Sequence, residues 1–176
     1  MPRFEIVAGL PPYGPVAEPF SESGRGTHGE GLVVRFTDSR GRHWHGNFQP
    51  GPWGVNAVLD HPDGHRVIVI SSGQGYFVDP DDRARREYFG GDLRIILPVP
   101  GLGVLFGNGL WFEAVGVSGV LWISDRISWD GMQGLDIRGQ CLKGEAWDPF
   151  SDCWHPFEVD LSSGRFNGGT YPFGGR

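Results

Sequence analysis

The stretch that decides the fold is residues 61–101, HPDGHRVIVISSGQGYFVDPDDRARREYFGGDLRIILPVPG. It contains four short runs typical of β-strands, RVIVIS, GYFVD, ARREYF and LRIILPV, which Gly, Pro, Asp and Ser separate. The segment Asp79-Pro80-Asp81-Asp82 predicts a tight turn, because proline presets φ and aspartate side chains accept hydrogen bonds from nearby amides. Helical periodicity is almost absent along the chain, so the sequence predicts an all-β fold.

The same order of strand-like runs and turns recurs along the chain about every 37 residues. The repeat units predicted from this order are residues 31–65, 66–102, 103–140 and 141–176. A fixed period of this length indicates stacked units that bury their faces against one another. We therefore expect four repeated four-stranded antiparallel units within a single all-β domain, 1–176, in a small propeller-like arrangement. A β-sandwich or an irregular barrel is the alternative.

The motifs in residues 61–101 also carry a resemblance to a known family. HPDGHRVIVIS followed by GYFVDPDDRARREYF resembles the repeat of many bacterial β-propeller proteins, in which a P-D-G turn precedes a hydrophobic strand and V-D-P closes the next. The other units resemble that repeat only in strand order and turn placement. The resemblance implies a scaffold that binds ligands at one end or in a central channel. It carries over no catalytic residue, because the repeat motif is structural.

Two segments near the N-terminus lie outside the repeat. RFEIVAG, residues 3–9, is expected to pair with the unit 141–176, which shows no convincing last strand after Gly169, because an added strand would cover an open edge. Residues 10–30 are rich in Gly and Pro and predict a long loop. A loop of this length is usually functional or disordered, and both interpretations stay open.

Composition excludes several classes of partner. Fifteen basic and 21 acidic residues give a formal charge of −6, and the longest basic cluster is Arg83, Arg85 and Arg86, so nucleic acid is not expected to bind. The only lysine is Lys143, and this preference for arginine, with abundant Gly (30) and Pro (14), indicates a bacterial source. The sequence shows no apolar run typical of a signal peptide or a membrane span, so we expect a cytoplasmic protein without a membrane partner.

No cofactor and no metal are expected from the spacing of candidate ligands. Cys141 and Cys153 are twelve residues apart, which fits neither a CxxC redox motif nor a zinc knuckle, so two reduced thiols are expected. His43 and His45 would share one face of a strand, but two ligands do not make a metal site. Further ligands would have to come from the residues around the P-D-G turn: Asp60, His61 or His65.

The sequence contains no motif specific to one reaction. A GxSxG elbow is missing, and the glycines of 73–75 and 107–109 are best explained as hairpin glycines. Several acidic residues lie near tryptophans in the sequence, which leaves one alternative function open. It is a hydrolase that uses a pair of its own carboxylates to act on a carbohydrate-like ligand. The carboxylates considered for it are Glu113, Asp130, Glu145 and Asp148.

The function predicted from the sequence is therefore a non-enzymatic binding or protein-interaction domain. Large aromatic side chains supply much of the binding energy at interfaces, and the candidates are Trp44, Trp111 and Trp129, together with the loop 10–30. The expected partner is another protein or a neutral small ligand.

Overall fold

A computed structural model describes residues 3–21, 23 and 29–172 of the chain. Within these ranges the chain forms sixteen β-strands and no helix, and the strands make four four-stranded sheets. This confirms the all-β class and the four four-stranded units. In the described ranges no helix is long and apolar enough to cross a membrane. The chain divides into two compact units, Met1–Leu93 and Arg94–Arg176, where the sequence predicted one domain.

The first unit contains two sheets. The strands of its first sheet, in the order β1-β3-β4-β2, are β1 (Phe4–Val7), β2 (Glu18–Phe20), β3 (Leu32–Thr37) and β4 (His43–Phe48). All pairs in this sheet are antiparallel except β2 with β4, which is parallel. The second sheet is a simple antiparallel meander of β5 (Ala57–Asp60), β6 (Val67–Ser71), β7 (Gln74–Asp79) and β8 (Asp82–Phe89).

The second unit contains two antiparallel sheets of consecutive strands. One is built from β9 (Ile95–Val99), β10 (Gly103–Gly107), β11 (Phe112–Gly116) and β12 (Gly119–Ile123). The other is built from β13 (Met132–Arg138), β14 (Cys141–Asp148), β15 (Cys153–Asp160) and β16 (Phe166–Gly168). Neighbouring strands in both sheets are joined by short connections, as the turn-rich composition predicts.

The sheets begin one strand earlier than the repeat units predicted from the sequence. The predicted boundaries at Arg66, Gly103 and Cys141 coincide with the second strands, β6, β10 and β14. The runs NAVLD, LRIILPV and GLDIRG therefore open the sheet that follows them and do not close the one before. This shift also supplies the strand that the last unit lacked, because β13 pairs with β14.

The prediction that residues 3–9 pair with the C-terminal unit is wrong. The strand β1 pairs antiparallel with β3 of the first sheet, where Phe4 lies opposite Phe36 and Val7 lies opposite Val33. Arg35 of β3 also forms an ion pair with Glu5. Strand pairing depends on hydrogen bonds between distant residues, which the turn pattern does not encode.

The predicted loop 10–30 contains a strand. Glu18–Phe20 forms β2, and the side chain of Phe20 is buried in the core of the first unit. Tyr13 and Val16 on its N-terminal side are exposed. Residue 22 and residues 24–28 lie outside the described residues, so the choice between an ordered and a disordered loop is not tested there.

Aspartate side chains stabilise several turns, among them the predicted turn at residues 79–82. In the turn between β7 and β8, Asp79 Oδ1 accepts a hydrogen bond from the amide of Asp81 at 2.9 Å. The same contact, from the amide two residues ahead, recurs in four other turns at Asp38, Asp63, Asp148 and Asp160. Ionised carboxylates satisfy amides that no strand pairs, so aspartate is favoured where the chain reverses.

Each unit has a hydrophobic core between its two sheets. In the first unit, large side chains of β3 and β4 meet those of β6 and β7: Val34, Phe36, Trp44 and Phe48 against Val67, Val69, Tyr76 and Val78. In the second unit, side chains of β10 and β11 meet those of β14 and β15: Leu105, Phe112 and Ala114 against Leu142, Ala146, Phe157 and Val159. Both cores use alternate residues of each strand, since successive side chains point to opposite faces.

Candidate aromatic binding site

Four connections meet at one end of the second unit. They are the loops 108–111, 124–131 and 149–152 and the segment after β16. The amide of Ile127 donates to the carbonyl of Leu110 at 2.8 Å, which joins the first two. The amides of Thr170 and Tyr171 donate to the carbonyl of Ile127, which joins the segment after β16 to the same loop. Aromatic residues occur in all four connections.

Three of these aromatic residues form what we call the aromatic cluster: Trp129, Phe150 and Tyr171. The ring centroid of Trp129 lies 4.6 Å from that of Tyr171 and 5.4 Å from that of Phe150, both in edge-to-face geometry. Trp129 and Tyr171 are half-buried, whereas the side chain of Phe150 is 80% exposed. The cluster therefore presents apolar aromatic surface to solvent from a packed base.

A cation stacks on this cluster. The guanidinium carbon of Arg126 lies 4.5 Å from the ring centroid of Tyr171 and 5.4 Å from that of Trp129. The guanidinium also donates to the carbonyls of Ser128 and Trp129 at 2.9 and 2.8 Å. These contacts hold the arginine in place, so the cluster combines aromatic faces with a fixed positive charge.

Hydroxyl groups fix the loop that carries Trp129. The amide of Trp129 donates to Thr170 Oγ1 at 3.1 Å, and that hydroxyl donates to the carbonyl of Trp147 at 3.0 Å. Ser128 Oγ donates to the carbonyl of Gly131 at 2.6 Å. The loop is thus tied to β14 and to the segment after β16. A surface held in this way loses little conformational entropy when it binds a partner.

The three tryptophans predicted to bind a partner lie in different environments in the structure. Trp129 belongs to the aromatic cluster, and Trp111 is half-buried in the neighbouring loop, where its amide donates to Asn108 Oδ1. Trp44 lies in the other unit with only 3% of its surface exposed, and its ring stacks on Phe36. Its Nε1 donates to the carbonyl of Pro80 at 2.9 Å, so Trp44 is a core residue and not a surface anchor.

The sequence interpretation missed Phe150, Tyr171 and Arg126. Phe150 stands in the turn Asp148-Pro149-Phe150-Ser151, and a phenylalanine placed among turn residues is a signal for an exposed aromatic side chain. No comparable signal identifies Arg126 or Tyr171, because their contacts join residues that are distant in the sequence.

The four carboxylates of the hydrolase alternative have separate environments. Glu113 is 2% exposed on β11, and burial raises its pKa to about 7. Asp130 is exposed in a loop, and Glu145 accepts a hydrogen bond from Gln133 at 2.9 Å on the exposed face of β14. Hydrogen bonds from Ser151 and from the amide of Phe150 lower the pKa of Asp148.

A large cavity of the second unit lies near the opposite end of β14. Its lining residues among those described are Gln140, Cys141, Glu158, Asp160, Arg165, Phe166 and Asn167. None of the four proposed carboxylates lines it. This cavity therefore gives no support to the hydrolase alternative.

The sequence analysis weighed two sources of metal ligands, which are the histidine pair on β4 and the residues around the P-D-G turn. His43 is exposed and contacts Thr37 Oγ1 at 3.0 Å, and His45 is half-buried. Burial, Arg35 and His43 lower the pKa of His45. In the described residues, a different trio places its ligand atoms within 4.8 Å of one another: His65, Asp79 and Asp81. This trio lies at two exposed turns, and its carboxylates already accept backbone amides.

Comparisons of the chain with protein families, with curated proteins and with solved structures find no significant match.

Proposed function

We propose that this chain is a non-enzymatic binding module that engages a partner protein through the aromatic cluster. The observation that supports the proposal is the side chain of Phe150, which is 80% exposed yet packs edge-to-face on Trp129. An exposed phenylalanine held by an ordered neighbour leaves apolar surface in water unless a partner covers it. Trp, Tyr, Phe and Arg are also the residue types enriched at protein interfaces.

A protein partner fits this surface better than a small neutral ligand. Small-molecule sites are concave and enclose most of their ligand, whereas Phe150 projects from the tip of a hairpin turn. Arg126 adds a fixed cation, so a partner with a carboxylate or a backbone carbonyl opposite the cluster would be favoured. The predicted contribution of Trp44 is withdrawn, because that side chain is buried.

The test is affinity capture with matched variants of the full chain. Phe150→Ala removes the exposed ring without disturbing the core, and Tyr13→Ala removes a ring that is 90% exposed in the other unit. We expect Phe150→Ala to reduce recovery of the partner at least about tenfold, the loss typical of an interface anchor. Tyr13→Ala should leave recovery unchanged. Equal recovery of every captured protein by wild type and Phe150→Ala would contradict the proposal.

For the fold family, we propose that the chain carries a propeller-type repeat. Three of the four sheets are antiparallel meanders of consecutive strands, and their second strands begin at Val67, Gly103 and Cys141, a spacing close to that of propeller blades. An experimental structure of the full chain tests this. Sheets around one common axis would support the propeller family, and sheets packed face to face would favour the sandwich.

A further inference from the structure

The rings of the aromatic cluster form two corners. The plane of Trp129 is inclined by 63° to that of Tyr171 and by 77° to that of Phe150. The guanidinium of Arg126 lies over the rings of both Trp129 and Tyr171, so it covers the first corner. The second corner is lined by the ring of Phe150, which is exposed. This second corner is therefore the part of the aromatic cluster that remains for a side chain of a partner.

Hydrogen-bond donors lie beside these rings. The amide and the carbonyl of Trp129 are bonded, but its Nε1 has no hydrogen-bond partner among the described residues. In contrast, Nε1 of Trp44 and of Trp122 each donates to a backbone carbonyl. Arg126 uses two of its five N–H donors on carbonyls of its own loop. A partner that presents unpaired acceptors would satisfy the remaining donors.

The charge around the aromatic cluster is negative. Its four connections contain three aspartates, Asp125, Asp130 and Asp152, and all three are exposed. Arg126 is the only basic residue in the same connections. A carboxylate on the partner would meet these aspartates at close range, whereas a basic side chain would be attracted to them. The favoured acceptor for the donors of the aromatic cluster is therefore an uncharged backbone carbonyl.

The construction of the aromatic cluster argues against three common modes of peptide recognition. It is built from turns and loops, so it offers no sheet edge to which a strand could add. It contains one arginine, and recognition of a phosphorylated segment uses several. Its three rings do not form the long apolar groove that an amphipathic helix needs. The remaining mode is a proline-rich segment in the polyproline II conformation, which docks between aromatic rings and leaves its carbonyls free to accept hydrogen bonds.

We propose that the aromatic cluster binds a proline-rich segment that carries a basic residue beside its prolines. This inference rests on the proposed function and names the chemistry of the partner. A proline ring packs into the corner between Trp129 and Phe150, and a neighbouring carbonyl accepts from Nε1 of Trp129. The basic residue lies toward the aspartates. Proline restricts the free segment to nearly the bound conformation, so little conformational entropy is lost on binding.

The experiment measures the binding of three labelled peptides to the full chain by fluorescence anisotropy. The first peptide is an arginine followed by eight prolines. The second replaces the prolines with alternating glycine and serine, at the same length and charge, and the third replaces the arginine with glutamate.

Two variants of the chain test the contacts of the aromatic cluster. Phe150→Ala removes one wall of the open corner, and Trp129→Phe keeps an aromatic ring but removes the N–H donor. Tyr13→Ala, at an exposed position outside the aromatic cluster, is the matched control. The melting temperature of each variant shows whether it folds.

We expect the arginine–proline peptide to bind the wild type at least about tenfold more tightly than the glycine–serine peptide. Phe150→Ala should weaken this binding at least about tenfold. Trp129→Phe should weaken it by about three- to tenfold, the loss expected for one hydrogen bond. Tyr13→Ala should bind as the wild type does. The glutamate peptide should bind more weakly than the arginine peptide, and salt should reduce the difference.

Equal binding of the proline and glycine–serine peptides would overturn the inference, and so would proline binding that Phe150→Ala leaves unchanged. The affinity capture described above separates this inference from the proposed function. If recovery of a partner depends on Phe150 while the proline peptide does not bind, the partner belongs to another class and only this inference fails. If Phe150→Ala affects neither capture nor peptide binding, both fail.

Discussion

Glu113 illustrates what a single residue costs when its charge is buried. The side chain is 2% exposed, and its Oε1 atom has no hydrogen-bond partner among the described residues. Burial disfavours the charged carboxylate and raises the pKa of Glu113 from 4.5 to about 7. Between pH 4.5 and about pH 7, the folded chain therefore holds a proton on Glu113 that the unfolded chain has released. This difference makes the free energy of unfolding depend on pH.

The expected consequence is a loss of stability as the pH rises. A raised carboxyl pKa leaves the free energy of unfolding highest below the unfolded-state pKa of 4.5, and the stability then falls as the pH approaches about 7. Between pH 5 and pH 8 we expect Glu113→Gln to gain about 2–3 kcal/mol relative to wild type, measured by urea unfolding. Glu145→Gln is the matched control, because Glu145 is exposed. Parallel pH profiles for wild type and Glu113→Gln would contradict the assignment.

Among the tryptophans, burial decides the role of each residue. Trp44 and Trp129 are both flanked by polar residues in the sequence, yet one lies in a core and the other supports an exposed cluster. The sequence contains the right residue type at both positions. Only the packing of neighbouring strands determines which ring meets solvent.

At the scale of elements, β2 shows that part of the Gly- and Pro-rich segment is structural. Phe20 is 1% exposed, and its ring centroid lies 4.5 Å from that of Phe48 in a stacked geometry. The guanidinium carbon of Arg86 covers the ring of Phe20 at 4.2 Å. The segment therefore adds a large side chain to the core of the first unit.

We expect Phe20→Ala to lower the free energy of unfolding by about 3–5 kcal/mol, because it leaves a cavity in a packed core. Tyr13→Ala, at an exposed position of the same segment, should change it by less than about 0.5 kcal/mol. Chemical denaturation of both variants measures the difference. A Phe20→Ala protein as stable as wild type would show that β2 does not pack on this core in solution.

The pairing of β1 with β3 predicts where removal of the N-terminal segment acts. Deleting residues 1–9 leaves β3 without a neighbour on one side and removes the ion pair of Glu5 with Arg35. We expect a lower melting temperature and faster hydrogen exchange at the β3 amides that bonded to β1. The amides of β16 serve as the internal reference. Loss of protection at β16 with β3 unchanged would instead support pairing with the C-terminal unit.

At the scale of the whole molecule, strand content is the quantity that the repeat pattern predicts. The described residues contain sixteen strands and no helix. We expect a far-ultraviolet circular dichroism spectrum dominated by strand, with helix below about 15% of residues. Strong helical minima would contradict the structure and the sequence interpretation together. The many aromatic residues also contribute in this region, so the deconvolution should be checked by infrared spectroscopy.

The sequence by itself determined the class of the fold, the number of sheets and most turns. Those features follow from interactions within a few residues, such as the alternation of RVIVIS and the aspartates that accept amides in the turns. Only the tertiary structure decided which sheet each strand joins, as for β1, β9 and β13. It also decided that Trp44 is buried and that the rings of Phe150 and Tyr171 pack against Trp129. The physical reason is that strand partners and buried faces are selected by hydrogen bonds and packing between residues distant in the chain, which a local pattern does not record.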